Sequence, residues 1–249
     1  MRTLPPLKAI SHALKSVIAY RMAGIQIGAL WMAILFAVDV AERLLFGTAE
    51  AGNGPATATR FISAILGFMA FSSVAVNWHR FILRDELPPL TKTLRLDKLV
   101  LRYLGNSVVA LLAGGVPLAL IAAAVAFLPQ IAALILLPAA LAAGAFITML
   151  SLKLPAVALE RTDFTFGDAL KSAEGNFWQI ATVFLLNAII IFLPAFALTM
   201  LVLLLRQSNP AIATVTGLVL SIPLNLFFTL FSVNVLTSLY GFFVEKRDF

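Results

Sequence analysis

Residues 103–152 read YLGNSVVALLAGGVPLALIAAAVAFLPQIAALILLPAALAAGAFITMLSL, a run of 50 positions without one Asp, Glu, Lys, Arg or His. A helix needs about 20 apolar residues to span hydrocarbon, so the run is too long for one crossing and long enough for two. It divides at Leu128-Pro129-Gln130, because proline has no backbone donor and disfavours helix in the residue before it. The stretch therefore reads as a hairpin of two membrane helices, with a tight turn at the proline.

Working outward, the same ions are missing from residues 22–38, 61–78, 175–205 and 207–244. Six spans follow, over 24–46, 60–80, 103–128, 131–152, 176–205 and 211–244. The first is the weakest, since Asp39, Glu42 and Arg43 interrupt its apolar continuation. A charge at mid-bilayer costs roughly 3 kcal/mol on insertion scales and less toward the interface, so these three belong at its far end. Composition agrees with a lipid solvent: 61% hydrophobic and 12% charged residues, against about 45–50% and 25% in soluble domains. The chain is expected to be an all-α polytopic membrane protein of six transmembrane helices in three hairpins. An interfacial helix occupies 1–23, the membrane domain 24–244 and a tail 245–249.

Orientation follows from the basic residues. If the six spans alternate, 15 of the 18 Lys and Arg fall on one side, leaving Arg43, Arg60 and Arg206 on the other. The positive-inside rule places both termini in the cytoplasm. The net charge of +6 then reads as topology and as attraction to the anionic inner leaflet, not as a nucleic-acid surface. The N-terminal apolar stretch runs on without a small-residue cleavage site, so it is expected to be retained.

The segments between spans are patterned too. After Pro5-Pro6, the residues Leu7, Ile10, Leu14, Ile18 and Met22 recur at helical spacing, with Lys8, Ser11, His12 and Lys15 on another face. Residues 88–102 mix Leu94, Leu96, Leu99 and Leu101 with Lys92, Arg95, Lys98 and Arg102 and are expected to form a second surface helix. A third is signalled by Thr165-x-x-Asp168 as a capping box and Gly175 as a stop. Surface helix plus hairpin, three times over, suggests an internal repeat. Phe71, Phe146 and Phe231 each precede an acidic residue by 14 positions, at Asp85, Glu160 and Glu245.

Motifs for chemistry are missing. There is no H-E-x-x-H, G-x-S-x-G or phosphate-binding glycine loop, no cysteine, and only two histidines, His12 and His79. No catalytic, cofactor or metal site is predicted. Three polar features remain. Asn77-Trp78-His79-Arg80 lies where span two meets the cytoplasm; it reads as an interfacial anchor, or, through His79, Arg80 and Arg84, as a contact for a phosphate-bearing head group. Ser221, Asn225, Thr229 and Ser232 form one stripe of span six and, with Asn77 and Asn187, make either a helix contact or a polar path. Asp39, Glu42 and Arg43 form a candidate charged cluster. Pro117, Pro138, Pro194 and Pro223 lie inside spans, as kinks or as breaks lining a transport site. Gly24-x-x-x-Gly28 is a generic helix-contact pattern.

Three short strings carry a resemblance. They are Val76-Asn77-Trp78-His79-Arg80-Phe81, Leu154-Pro155-Ala156-Val157-Ala158-Leu159-Glu160, and Asp168-Ala169-Leu170 followed by Gly175-Asn176-x-Trp178. Through these and its layout the chain resembles uncharacterised bacterial six-helix membrane proteins related to the membrane-anchor region of glycerophosphoryl diester phosphodiesterases. The likeness implies a membrane module. It lends no catalytic residues, since the soluble phosphodiesterase domain has no counterpart here. The expectation is a noncatalytic inner-membrane module that binds lipid or organises a partner, which a second copy of the chain could be. The alternative is a small-solute permease or channel, supported by the prolines and polar stripes; a membrane-embedded lipid enzyme is the third reading.

Overall fold

A computed structural model describes residues 2–46 and 54–249. Its elements are α1 (Pro6–Ala19), α2 (Arg21–Phe46), α3 (Gly54–Arg84), a 3-10 turn (Leu90–Lys92), α4 (Lys98–Val125), α5 (Pro129–Ser151), α6 (Lys153–Ala158), α7 (Phe166–Ser172), α8 (Phe177–Ser208) and α9 (Pro210–Phe243). No strand occurs among the described residues. The six helices α2, α3, α4, α5, α8 and α9 are long and apolar enough to cross a membrane, which makes this a multi-pass membrane protein.

Local chemistry accounts for the boundaries. Pro129 and Pro210 sit in the first turns of α5 and α9, where the amide that proline lacks would have no helical partner. Asn209 caps α9 by accepting from the amides of Ala211 and Ile212. Thr165 and Asp168 close the expected reciprocal box at the start of α7, and Gly175 follows that helix at φ 77°. The four prolines expected to kink or break spans do not interrupt them: Pro117, Pro138, Pro194 and Pro223 lie inside continuous α4, α5, α8 and α9.

The second expected surface helix does not form. Residues 88–97 run as an irregular loop around the 3-10 turn, and Asp97 then caps α4, accepting from the amides of Leu99 and Val100 at 3.1 Å. An Asp immediately before Lys98-Leu99-Val100 is a helix-start signal that assigns those residues to α4 and leaves 88–97 outside it.

Asp85, Glu160 and Lys246, just past α3, α6 and α9, all adopt left-handed backbone at φ 57°, 61° and 60°. For residues other than glycine this costs roughly 1–2 kcal/mol. After each, the next amide turns back to a helix carbonyl: Glu86 to Arg80, Arg161 to Ala156 and Arg247 to Gly241. Two of the three positions are acidic residues of the 14-residue spacing, and the third stands one residue beyond Glu245.

Neighbouring spans pack as α2 with α3, α4 with α5 and α8 with α9, while α9 also touches α1, α2 and α3. Gly24 and Gly28 work inside the chain. A Cβ on Gly28 would lie 2.3 Å from Leu226 Cδ1, and one on Gly24 2.6 Å from Leu230 Cδ1. The pattern seats α2 on α9. Burial concentrates at one end of the bundle, where α1 packs on α8 and α9, α6 on α3 and α4, and α7 on α5; Ala70 to Trp78 and Leu230 to Phe243 supply much of this core. We call it the closed end. Toward the opposite, open end, apolar side chains such as Leu134, Leu137, Phe192 and Leu204 face outward.

Candidate functional site

The string Asn77-Trp78-His79-Arg80 lies on α3 at the closed end. Successive residues of an α-helix point about 100° apart, so four in a row cannot share one surface. Each goes to a different neighbour. Asn77 Nδ2 donates to the Thr93 carbonyl at 3.1 Å, pinning the irregular loop, and Ser73 Oγ accepts from the Arg95 amide at 3.0 Å. Trp78 Nε1 donates to Asn234 Oδ1 at 3.1 Å, and Asn234 Nδ2 donates to the Ala13 carbonyl at 2.8 Å, so α3, α9 and α1 are joined through two side chains.

His79 is fully buried, which corrects its place in the expected head-group set. Its Nδ1 lies 2.8 Å from Thr237 Oγ1 and its Nε2 3.1 Å from the Tyr103 hydroxyl. Thr237 donates its own proton to the Val233 carbonyl at 2.8 Å. The threonine oxygen must therefore accept from His79, which assigns the proton to Nδ1 and leaves Nε2 to accept from Tyr103. The imidazole is thus a fully satisfied clamp between α3, α4 and α9.

Arg80 and Arg84, one helical turn apart, do share a face; Arg80 is paired with two carboxylates, while Arg84 makes one hydrogen bond and its side chain stays 40% exposed. Arg80 Nη1 reaches Glu160 Oε1 at 2.7 Å and the Ala158 carbonyl at 3.2 Å, and its Nη2 lies 2.6 Å from Glu86 Oε2. Arg84 donates to the Leu159 carbonyl and lies 3.9 Å from Glu86. These contacts hold the α3 and α6 stops together and exist because Glu86 and Glu160 follow or occupy left-handed stop positions.

The proposed polar path divides. Ser221, Asn225 and Thr229 of α9 line a cavity of about 500 Å³ with Asp39 of α2 and Gly67 of α3. Asp39 lies 18 residues beyond Arg21, about 27 Å along α2, so this cavity opens toward the open end. Asn77 belongs to the closed end. Asn187 does not line the cavity, and its Oδ1 is buried on α8 without a hydrogen-bond partner. Ser232 is half-buried and also lies outside the lining. Glu42 accepts from Ser63 Oγ across α2 and α3. The Arg43 side chain falls outside the described residues.

Helix α1 is docked on protein through a different stripe from the one periodicity picked out. Ala9, Ile10, Ala13 and Val17 are buried against α8 and α9, whereas Leu7 and Ile18 are exposed beside Lys8 and Lys15. Small residues decide this, because Ala9 and Ala13 allow the close approach that Leu7 does not.

The closed end also carries most of the exposed basic residues. Arg102 on α4, Lys153 on α6 and Arg161 line one depression of about 200 Å³ with Asn106 and Thr162. This grouping escaped the sequence because its basic members come from three segments. Among the described residues, no three His, Asp or Glu side chains converge as a metal cluster. The chain matches no family model, no curated protein and no solved structure.

Proposed function

We propose that the chain is a noncatalytic module of the bacterial inner membrane. In this reading its six spans form three hairpins with both termini cytoplasmic, and its basic face binds the anionic inner leaflet. The carrying observation is the distribution of charge: α1, the loop before α4 and the segment from Lys153 to Lys171 all bring Lys and Arg to the closed end. Each basic residue near an anionic leaflet contributes about 1 kcal/mol. Exposed Leu7 and Ile18 beside Lys8 and Lys15 give α1 an outward face suited to the head-group region. The resemblance drawn from the three short strings to uncharacterised six-helix membrane proteins points the same way.

Because the chain has no cysteine, introduced thiols test it directly. In intact cells an impermeant thiol reagent should label R206C and spare K92C. Strong labelling of K92C overturns the orientation. Native mass spectrometry from mild detergent should show retained anionic lipid, and any partner or second copy would appear in the same spectrum.

One observation favours a second reading, a small-solute permease. The cavity between α2, α3 and α9 combines a carboxylate, Asp39, with Ser221, Asn225 and Thr229, and ionisable groups inside membrane proteins gather at solute paths. Solute flux into proteoliposomes that D39N abolishes would establish it. Turnover of added lipid would instead establish an enzyme.

A further inference from the structure

The closed end holds three polar depressions, and they differ in how their charges are spent. In the largest, about 630 Å³ beside the loop before α4, Arg80 pairs with Glu86 and Arg95 with Asp97 at 2.6 Å. In the second, of about 320 Å³, Arg2 pairs with Asp248 and Lys246 Nζ donates to the Phe243 carbonyl at 2.6 Å. In both, the arginines are paired within the protein, and Lys92 and Lys171 complete the linings.

The third is different. Arg102 and Lys153 line it and make no ion pair among the described residues, although both are at least partly exposed toward it. Arg161 completes the set and is held in place: its Nη1 donates to the Tyr240 hydroxyl at 2.9 Å, its guanidinium lies 5.9 Å from the centre of the Phe164 ring, and Asp163 stands 3.9 Å away. The one carboxylate in the lining, Glu160, is drawn off by Arg80 at 2.7 Å. Asn106 and Thr162 add neutral donors, and Val157 and Phe164 form the apolar wall. Arg102, Lys153 and Arg161 stand around a small depression; Asp163 pairs with Arg161, Glu160 is drawn to Arg80, and Lys153 also lies 4.5 Å over the Phe166 ring, so the positive excess left is that of Arg102 and Lys153, which a compact anion would neutralise.

From this we infer that Arg102, Lys153 and Arg161 form a binding site for a phosphate monoester or diester group. The chemistry fits the donors. Arginine presents planar paired N–H groups to phosphate oxygens, lysine a movable point charge, and Asn106 with Thr162 fills the remaining acceptors. The site deepens the anionic-leaflet reading and rests on it where the phosphate is a lipid head group; a free phosphate is the other source of the same group. It also replaces the set of His79, Arg80 and Arg84, in which His79 is buried and Arg80 is paired with Glu86 and Glu160.

The test uses the full chain in mild detergent, reading the thermal midpoint against added phosphatidylglycerol, phosphatidylcholine and inorganic phosphate. Phosphatidylglycerol should stabilise the wild type, and in R102Q/K153Q its half-saturating concentration should rise about 30-fold. K8Q/K15Q removes the same charge from the diffuse basic face and should raise it clearly less than R102Q/K153Q does. The midpoint without lipid shows whether R102Q/K153Q is folded. If it is not, the single variants R102Q and K153Q are read instead, each with an expected loss of roughly fivefold. Equal weakening in both double variants overturns the site and leaves the diffuse anionic-leaflet reading standing. Phosphatidylcholine acting as well as phosphatidylglycerol overturns that reading. Protection by inorganic phosphate that R102Q/K153Q loses, with no effect of phosphatidylglycerol, keeps the site and assigns it to a free phosphate. Failure of both ligands overturns the site.

Discussion

Between Pro210 and Pro223, α9 turns Ile212, Val215, Val219 and Leu220 outward at 40–60% exposure, whereas between Leu230 and Phe243 nearly every residue is buried. The exposed half is overwhelmingly apolar, and the buried half carries Asn234, Thr237, Ser238 and Tyr240. In water the pattern would be reversed. In lipid, apolar side chains cost nothing outside, and polar ones go inward where Trp78, His79, Ala13 and Arg161 supply partners. Within this bundle, then, polarity marks what faces protein.

The sharpest way to break that comparison is one truncation against each half, the first at Trp78 of α3, which donates to Asn234 of the buried half. W78A removes a fully buried ring and leaves Asn234 Oδ1 without its donor; it should cost about 3–5 kcal/mol in detergent unfolding. V219A on the exposed half should cost about 0.5 kcal/mol or less. Comparable losses would mean that the two halves are not distinct environments.

A smaller effect is expected at the seam joining the halves. In G28A the new methyl meets Leu226 Cδ1, so the variant should lose about 1–3 kcal/mol. L226A should restore much of it in a double-mutant cycle. No recovery would show that Gly28 serves something other than the α2–α9 contact.

Asp97 sharpens the comparison at the rim of the closed end. Burial raises its pKa, but hydrogen bonds from Arg95, Val100 and Leu99, with the Arg95 charge, outweigh this and hold it below the ordinary value. A depressed folded-state pKa contributes stability that is present above the unfolded value and is lost as pH falls through the folded one. D97A should therefore cost about 1 kcal/mol at neutral pH, and the gap to wild type should close on acidification below the usual carboxylate range. A pH-independent gap would refute the carboxylate's role as cap.

The smallest effect belongs to the left-handed stops. Asp85 is exposed at φ 57°, and D85G should gain roughly 0.5 kcal/mol by relieving the backbone. E160G relieves the same strain but removes the Arg80 partner, so it should not gain. Equal gains would mean that the Arg80–Glu160 pair contributes nothing.

The spans were legible because lipid enforces them: no ion sits in 103–152, and Pro129 can only start a helix there. The Thr165–Asp168 box and the Gly175 stop were legible for the same local reason. Side-chain destinations were not. Asn77, Trp78, His79 and Arg80 read as one interfacial string, yet helical rotation sends them to four partners, and nothing local marks Asn234 or Thr237 as those partners. The loop over 88–97 was misread because counting Leu and Lys ignored the capping Asp97, which starts α4 only at Lys98. Asp39 was visible as an odd charge, but its meeting with Ser221, Asn225 and Thr229 depends on α2 lying against α9, which only the Gly24 and Gly28 contacts disclose.

Asn176 receives the Leu4 amide on Oδ1 at 2.8 Å and donates to the Arg2 carbonyl at 3.1 Å, while Arg2 reaches Asp248. Residues at the two extremes of the sequence thus meet within one bonded cluster, and the helical bundle is closed into a ring by contacts instead of a peptide bond. A linker from 248 to 2 would join residues that an Arg–Asp side-chain pair already holds together. The order in which the spans are connected is therefore separable from the contacts between them: a permuted chain opened at the α4–α5 turn should keep the Asn176, Arg2 and Asp248 cluster while α4 and α5 lose their connecting turn.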